Sequence, residues 1–292
     1  MYAYNVAGTL INVNTSNNYL IDRMKSFMCN SKKNPDISVE IEHCPHINEP
    51  EGHLIIEDSI KWMKKDLETG FHIYSVNETG NKVMAHIDTD MNWSRAHIRC
   101  VTLENEQSAP DFVRTGPNLY SFLLLGIVFR NNVLNNGGIV MHASSIAWEG
   151  KGILFTAPSG TGKSTHVRLW EKYFGDAVSV VNDDTPVIRF REDIPMLCGT
   201  PWSGSSDKFT NLEVPVKAIV VLSQAPENSI RKLSVVEALP AVMPRCFLPY
   251  FDEKLMEKAY VVLEKILTKV PVYHLKCRPD KEAMELVHQC VK

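Results

Sequence analysis

Across residues 1–103, short apolar segments alternate with polar turns: Leu10 to Val13, Ile37 to Ile41, His53 to Ile56, Phe71 to Val76, Lys82 to Ile87 and Ala96 to Leu103. Period-two alternation bounded by turn residues marks strands half-buried against a core, so this part reads as a β-rich module. Glu78-Thr79-Gly80-Asn81, between two of the runs, predicts a hairpin. Helices are expected near Tyr19 to Cys29 and Ile60 to Glu68, and Glu104 to Gly116 reads as a linker.

The pattern then changes period. From Asn118 to Asn135 the apolar spacing suits a helix, closed by Asn135-Asn136-Gly137-Gly138. Strands are expected over Ile139 to Trp148 and Lys151 to Ala157 around a Glu149-Gly150 turn, then a helix over 163–174 and a strand at Val178 to Val181. Further on come a Gly/Ser-containing loop from Gly199 to Asp207, a strand at Val216 to Leu222, a short helix near Ser234 to Leu239 and an amphipathic helix from Asp252 to Lys269. The chain closes with a strand, Val270 to Cys277, and a helix, Asp280 to Val291, with Asp280 as N-cap. Strands alternating with helices imply an α/β core, so the expected organisation is a β-rich module over 1–115 and an α/β domain over 116–292.

Composition narrows the partners. The formal charge of −3 and the lack of a long Lys/Arg run weigh against nucleic acid, whose backbone needs a basic face. No charged segment followed by an apolar stretch opens the sequence, so no secretion signal is expected. The apolar run Leu119 to Phe129 is too short to span a bilayer, so no membrane partner is expected either. Seven cysteines, an odd number without a Cys-x-x-Cys pair, suggest reduced thiols and a cytoplasmic setting. The sequons at Asn14, Asn77 and Asn92 then carry no meaning. His43, Cys44, His46 and His53 are metal ligands by type, but their spacing fits no zinc pattern.

The richest chemistry lies in Gly152-Ile153-Leu154-Phe155-Thr156-Ala157-Pro158-Ser159-Gly160-Thr161-Gly162-Lys163-Ser164-Thr165, a buried-strand pattern breaking into a glycine-rich loop. Successive amides in such a loop, continuing into a helix, cradle phosphate oxygens, so Pro158 to Thr165 read as a triphosphate site. Lys163 adds a positive charge at the outer phosphates and Ser164 offers its hydroxyl to Mg²⁺. Ala157 stands where a first glycine is usual. Pro158 biases it toward extended backbone, where alanine serves, while Gly160 and Gly162 are kept for close phosphate approach. The amphipathic run Val167, Leu169, Trp170, Tyr173, Phe174 supplies the helix.

One strand later comes Asn182-Asp183-Asp184, a carboxylate pair where Mg²⁺ and an attacking group should meet. With His142-Ala143-Ser144-Ser145 and the phosphate loop, these residues resemble the catalytic domain of HPr serine kinases, whose fold is shared with phosphoenolpyruvate carboxykinases. The resemblance covers about residues 137–205 well and extends more weakly to the C-terminus. It implies an α/β fold with a phosphoenolpyruvate carboxykinase-like P-loop kinase core over 116–292, preceded by the β-rich module. The implied activity is an ATP- and Mg²⁺-dependent phosphotransferase acting on a serine of a protein or peptide. The amino-terminal module matches no HPr kinase counterpart, so HPr itself is not implied as the acceptor. Multimeric relatives make a homo-oligomer consistent with the resemblance.

Carried over by residue, the resemblance makes His142 an active-site histidine near metal and phosphates, Asp183 the acceptor of the substrate hydroxyl proton and Asp184 its metal-side partner, with the two acid roles exchangeable. Metal ligands are then Ser164, Asp183 and Asp184, and catalytic residues Asp183, Lys163 and His142. Pro201, Ser203 and Gly204, in Gly199 to Ser205, are candidates for a loop closing over nucleotide or acceptor, with a plain surface connection as the alternative. Pro244-Arg245 offers a guanidinium toward phosphate, a solvated arginine being the default. Donor identity stays open between ATP, GTP and pyrophosphate. A small-molecule kinase and an ATP-binding sensor without transfer remain the competing functions.

Overall fold

Alternating burial builds the first sheet. In β3 (Ile37–Cys44), Ile37, Val39 and Ile41 are buried while Ser38, Glu40 and Glu42 face solvent. The computed structural model describes residues 1–102, 116–204 and 206–292, so Leu103, most of the expected linker and Ser205 lie outside the described residues. Strands β1 (Tyr2–Val6), β2 (Thr9–Asn14), β3, β4 (His53–Ile56), β5 (Lys61–Lys64), β6 (Gly70–Val76), β7 (Val83–Asp90) and β8 (Arg95–Val101) form an eight-stranded sheet ordered β1-β2-β3-β8-β7-β6-β5-β4. One face carries α2 (Pro117–Asn135), which packs on β3 and β8, and α1 (Asn18–Arg23) packs against α2. Asn77 builds the expected β6–β7 hairpin, its side-chain oxygen accepting from the amides of Asn81 and Lys82 at 3.1 Å.

Two expectations change in this unit, and one strand, β1, is added to those expected. Ile60 to Glu68 is not a helix. Its apolar spacing is helical, yet Trp62 pairs opposite Ile73 and stacks on Phe251 at 4.5 Å, and a sheet with two pairing partners for β5 outweighs local propensity. The helix expected over Tyr19 to Cys29 stops at Arg23 and continues as one 3₁₀ turn, Lys25–Phe27. The strand β1 carries no strong alternation and forms by pairing with β2 across a turn in which both Ala7 (φ 49°) and Gly8 (φ 76°) are left-handed.

The described chain divides into two units, Met1–Asn135 with Tyr250–Glu253, and Asn136–Pro249 with Lys254–Lys292. Helix α2 packs on α1, β3 and β8, which carries the division to Asn135 from the 115/116 boundary expected from the sequence.

The second unit holds a nine-stranded sheet. Its strands are β9 (Gly138–Val140), β10 (Ala143–Trp148), β11 (Lys151–Thr156), β12 (Val178–Asn182), β13 (Val187–Arg191), β14 (Ile194–Cys198), β15 (Glu213–Gln224), β16 (Ser229–Lys232) and β17 (Val272–Cys277). The main order is β12-β10-β11-β15-β14-β13-β9, with β17 on β15 and β16 on β17. The single strand expected over Ile139 to Trp148 is two: β9 pairs with β13, β10 pairs with β11 and β12, and the chain changes partners at Met141-His142. The β13–β14 hairpin turns on Glu192 and Asp193, both at positive φ, without the Asn-Gly signal that would announce it.

Helices α3 (Lys163–Phe174), α4 (Val235–Val242), α5 (Glu253–Lys269) and α6 (Lys281–Val291) complete the chain. A capping box of Ser234 and Glu237 starts α4, and Asp280 caps α6 by accepting from the Ala283 amide at 3.1 Å. Ile153, Phe155, Val167, Trp170, Val220, Leu275, Met284 and Val287 pack into one core that seats α3 and α6 on the sheet.

His166 is buried in α3 with its ring 4.6 Å from that of Phe155, and burial pushes its pKa down to about 4. The neutral form therefore belongs to the fold, while the unfolded chain takes up a proton near pH 6.5. This stability is complete above the unfolded pKa and is lost as pH falls through the folded one. Urea denaturation should show the second unit losing about 2 kcal/mol from this group between pH 7 and pH 5. His166→Phe should flatten that dependence, and an unchanged pH profile in the variant would contradict the assignment.

Candidate functional site

Strands β11, β15 and β17 run parallel, and β12 joins them because β11 and β12 both pair antiparallel to β10. Their carboxyl ends and the start of β10 thus share one edge, where open α/β sheets bind ligands. That edge carries the loop Ala157 to Gly162, the pair Asp183-Asp184, His142 and the end of β15.

The loop is built as its sequence requires. Ala157 is buried and is not among the residues at positive φ, whereas Gly160 (φ 76°) and Gly162 (φ 114°) are left-handed. Pro158, Ser159 and Gly160 are exposed, and the Thr161 amide closes the turn on the Pro158 carbonyl at 3.3 Å. Gly162 caps α3 without a side chain, so no side chain occupies the first-turn amides that a helix leaves unpaired. Lys163 is buried at the start of α3 and donates to the Ala157 carbonyl at 3.2 Å. Burial pulls its pKa down, the Arg245 charge adds to this, and Asp184 opposes it. Ser164 and Thr165 occupy the same first turn. A buried ammonium beneath open amides is a donor set that suits a polyphosphate.

The two carboxylates part company. Asp183 is buried, and its oxygens accept from the Gly204 amide at 2.8 Å, the Ser206 amide at 3.2 Å and the Ser206 hydroxyl. Asp184 is half-exposed, with Oδ1 3.6 Å from His142 Nε2 and its charge felt at Lys163. His142 is held through its main chain, its amide donating to the Arg245 carbonyl at 2.6 Å and its carbonyl accepting from the Thr156 hydroxyl at 2.9 Å. Its imidazole pKa is lowered, by burial first and then by Lys163 and Arg245, against Asp184. Arg245 is half-buried beside this cluster, in place of the solvated side chain taken as the default.

Asn182 is the connecting residue that the motif reading passed over. Its amide nitrogen donates to the carbonyls of Thr200 at 3.0 Å and Trp202 at 2.8 Å, while Oδ1 accepts from the amides of Asp184 and Thr185 at 2.8 and 2.6 Å. A fully buried amide thereby joins the acid pair to the loop holding Pro201, Ser203 and Gly204. Gly199 is required there, since a Cβ would stand 1.8 Å from the Thr210 carbonyl oxygen. A Cβ on Gly204 would meet the Asp184 Cβ at 3.3 Å, so this loop lies against both acids.

Elsewhere, no three His, Cys, Asp or Glu side chains among the described residues converge as metal ligands, and His43, Cys44, His46 and His53 form no such group. All seven cysteines are free thiols. No described helix is long and apolar enough to cross a membrane.

The span carrying this edge is also the span that a family shares. The family model described as SynChlorMet cassette protein ScmC matches residues 119–280, more than half of the chain, and the chain belongs to that family. The match encloses His142, the phosphate loop, both acids, the 199–204 loop and Arg245. Among solved structures, the HPr(Ser) kinase/phosphatase from Coxiella burnetii is 12% identical, with 52% of this chain and 95% of that chain covered and a TM-score of 0.31. No curated protein matches the sequence.

Proposed function

We propose that the chain is an ATP- and Mg²⁺-dependent phosphotransferase of the P-loop kinase type, with a phosphoenolpyruvate carboxykinase-like core in the second unit and a serine of a protein or peptide as acceptor. One observation carries this reading: the buried Lys163 lies under an open, left-handed glycine loop on the same sheet edge as Asp184 and His142. Amides of residues 159–164 and the Lys163 ammonium hold the donor's phosphates. The Ser164 hydroxyl would hold Mg²⁺, which neutralises charge on the donor when bound. Phosphoryl transfer asks mainly for positioning and charge neutralisation, which is what a loop, a buried cation and a neighbouring arginine supply.

The acid roles follow from their partners. Asp184, half-exposed beside Lys163 and His142, takes the proton of the acceptor hydroxyl; Asp183, engaged by Gly204 and Ser206, positions the acceptor loop. The first unit helps to recognise the acceptor. Mass spectrometry of serine-bearing peptides and proteins after incubation with Mg-ATP tests the reading: acceptors should gain phosphate with the native chain and not with Lys163→Ala. Tight ATP binding without any acceptor phosphate would contradict it and leave an ATP sensor in its place.

A further inference from the structure

The loop that closes on the acids brings a serine of its own to one of them. Ser206 is half-buried and donates both its hydroxyl and, at 3.2 Å, its amide to Asp183 Oδ2, while the Gly204 amide donates to Oδ1 at 2.8 Å. Neighbouring hydroxyls are engaged differently. Ser144 donates to the main-chain carbonyl of Asp183 at 2.9 Å, Thr185 to that of Trp202, and Thr200 to that of Thr185 at 2.9 Å. A serine hydroxyl held on a carboxylate is poised for general-base activation, and a hydroxyl held on a main-chain carbonyl is not.

Position points the same way. A Cβ on Gly204 would stand 3.3 Å from Asp184 Cβ and 3.5 Å from Asp183 Oδ2, so a glycine lets this segment lie against both acids. Asp184 in turn acts on Lys163, the cation of the phosphate loop. From this arrangement we infer that Ser206 is a phosphate acceptor within the chain itself, modified in cis by the donor bound at the loop. The inference rests on the phosphotransferase reading and deepens it, because it gives the site an acceptor that the chain carries.

The step is a simple displacement. Ser206 Oγ forms a bond to the terminal phosphorus of the nucleoside triphosphate, the bond from that phosphorus to its bridging oxygen breaks, the hydroxyl proton passes to Asp183 Oδ2, and the nucleoside diphosphate leaves. Asp183 thus serves Ser206 as Asp184 serves an external acceptor. The product carries a charge of about −1.5 to −2 beside two carboxylates, and like-charge repulsion drives the loop off the acids. Lys208, two residues on and paired with Glu171 at 2.6 Å, moves with it.

Incubation of the full chain with Mg-ATP and no added acceptor, followed by mass-spectrometric mapping, tests the inference. Phosphate should appear on Ser206, with an initial rate per chain that stays constant over about a hundredfold range of chain concentration. Lys163→Ala should abolish it, which excludes a contaminating kinase, and Asp183→Asn should lower it by about 10²–10⁴-fold. Ser206→Thr, which keeps a hydroxyl, should carry phosphothreonine at that position, and tryptic cleavage after Lys208 should quicken severalfold once the native chain is labelled. Phosphate confined to other residues, a rate per chain that rises with concentration, or unchanged cleavage after labelling would overturn the inference. Transfer to serine-bearing peptides without any phosphate on Ser206 would overturn it and leave the phosphotransferase reading standing. Transfer to neither would remove that reading, and this inference with it.

Discussion

Lys163→Ala should lower phosphoryl transfer by about a thousandfold or more, the scale on which a single cation acts on the charge of a transferring phosphoryl group. Three features set the size of the effect. Lys163 is buried, so its charge is poorly screened by water and acts strongly on whatever occupies the loop. Its ammonium rests on a neutral carbonyl, that of Ala157, and so remains available to an anion. Arg245 lies near but belongs to a different segment, the 3₁₀ turn Met243–Arg245, so Lys163 is the cation that the loop itself supplies. Alanine is a strong helix former at this first position of α3, so thermal melting of the variant should stay close to that of the native chain. Normal turnover by Lys163→Ala would remove the central role given to this residue.

Asp184→Asn should lower transfer by about 10²–10⁴-fold, the usual contribution of a positioned proton acceptor, with Mg-ATP affinity changed only a few-fold. Asp183→Asn should behave differently although its neighbour is adjacent in sequence. Its carboxylate accepts from two amides and a hydroxyl of residues 204 and 206, and an amide side chain presents a donor where one of those acceptors stood. The loop should loosen, so the effect falls chiefly on KM for the acceptor while nucleotide binding is retained. A rate loss confined to kcat in Asp183→Asn, with Asp184→Asn unaffected, would reverse the two roles.

The parts of this site written locally in the chain were legible in the sequence. Strand β11, the Pro158 to Gly162 turn and α3 follow one another without interruption, and Ala157 in place of a glycine is explained by the proline after it. The parts set by distant pairing were not legible. Nothing near Asp183 announces that residues 204 and 206 will occupy its oxygens, and nothing near Asn182 announces bonds to Thr200 and Trp202. Arg245 reaches His142 only because Met141 and Cys246 form a bridge that no local pattern encodes. The same logic accounts for β5, where Trp62 follows a helical spacing but is claimed by aromatic neighbours and by strands on both sides. Helix α2, by contrast, was evident because its apolar residues continue over many turns.

A crystal structure of the chain with Mg²⁺ and a non-hydrolysable ATP analogue tests the central claim most directly. The phosphates should bond to amides of residues 160–164 and to Lys163 Nζ, with the terminal phosphate facing Asp184. Phosphates bound elsewhere, or a terminal phosphate directed away from Asp184, would contradict it.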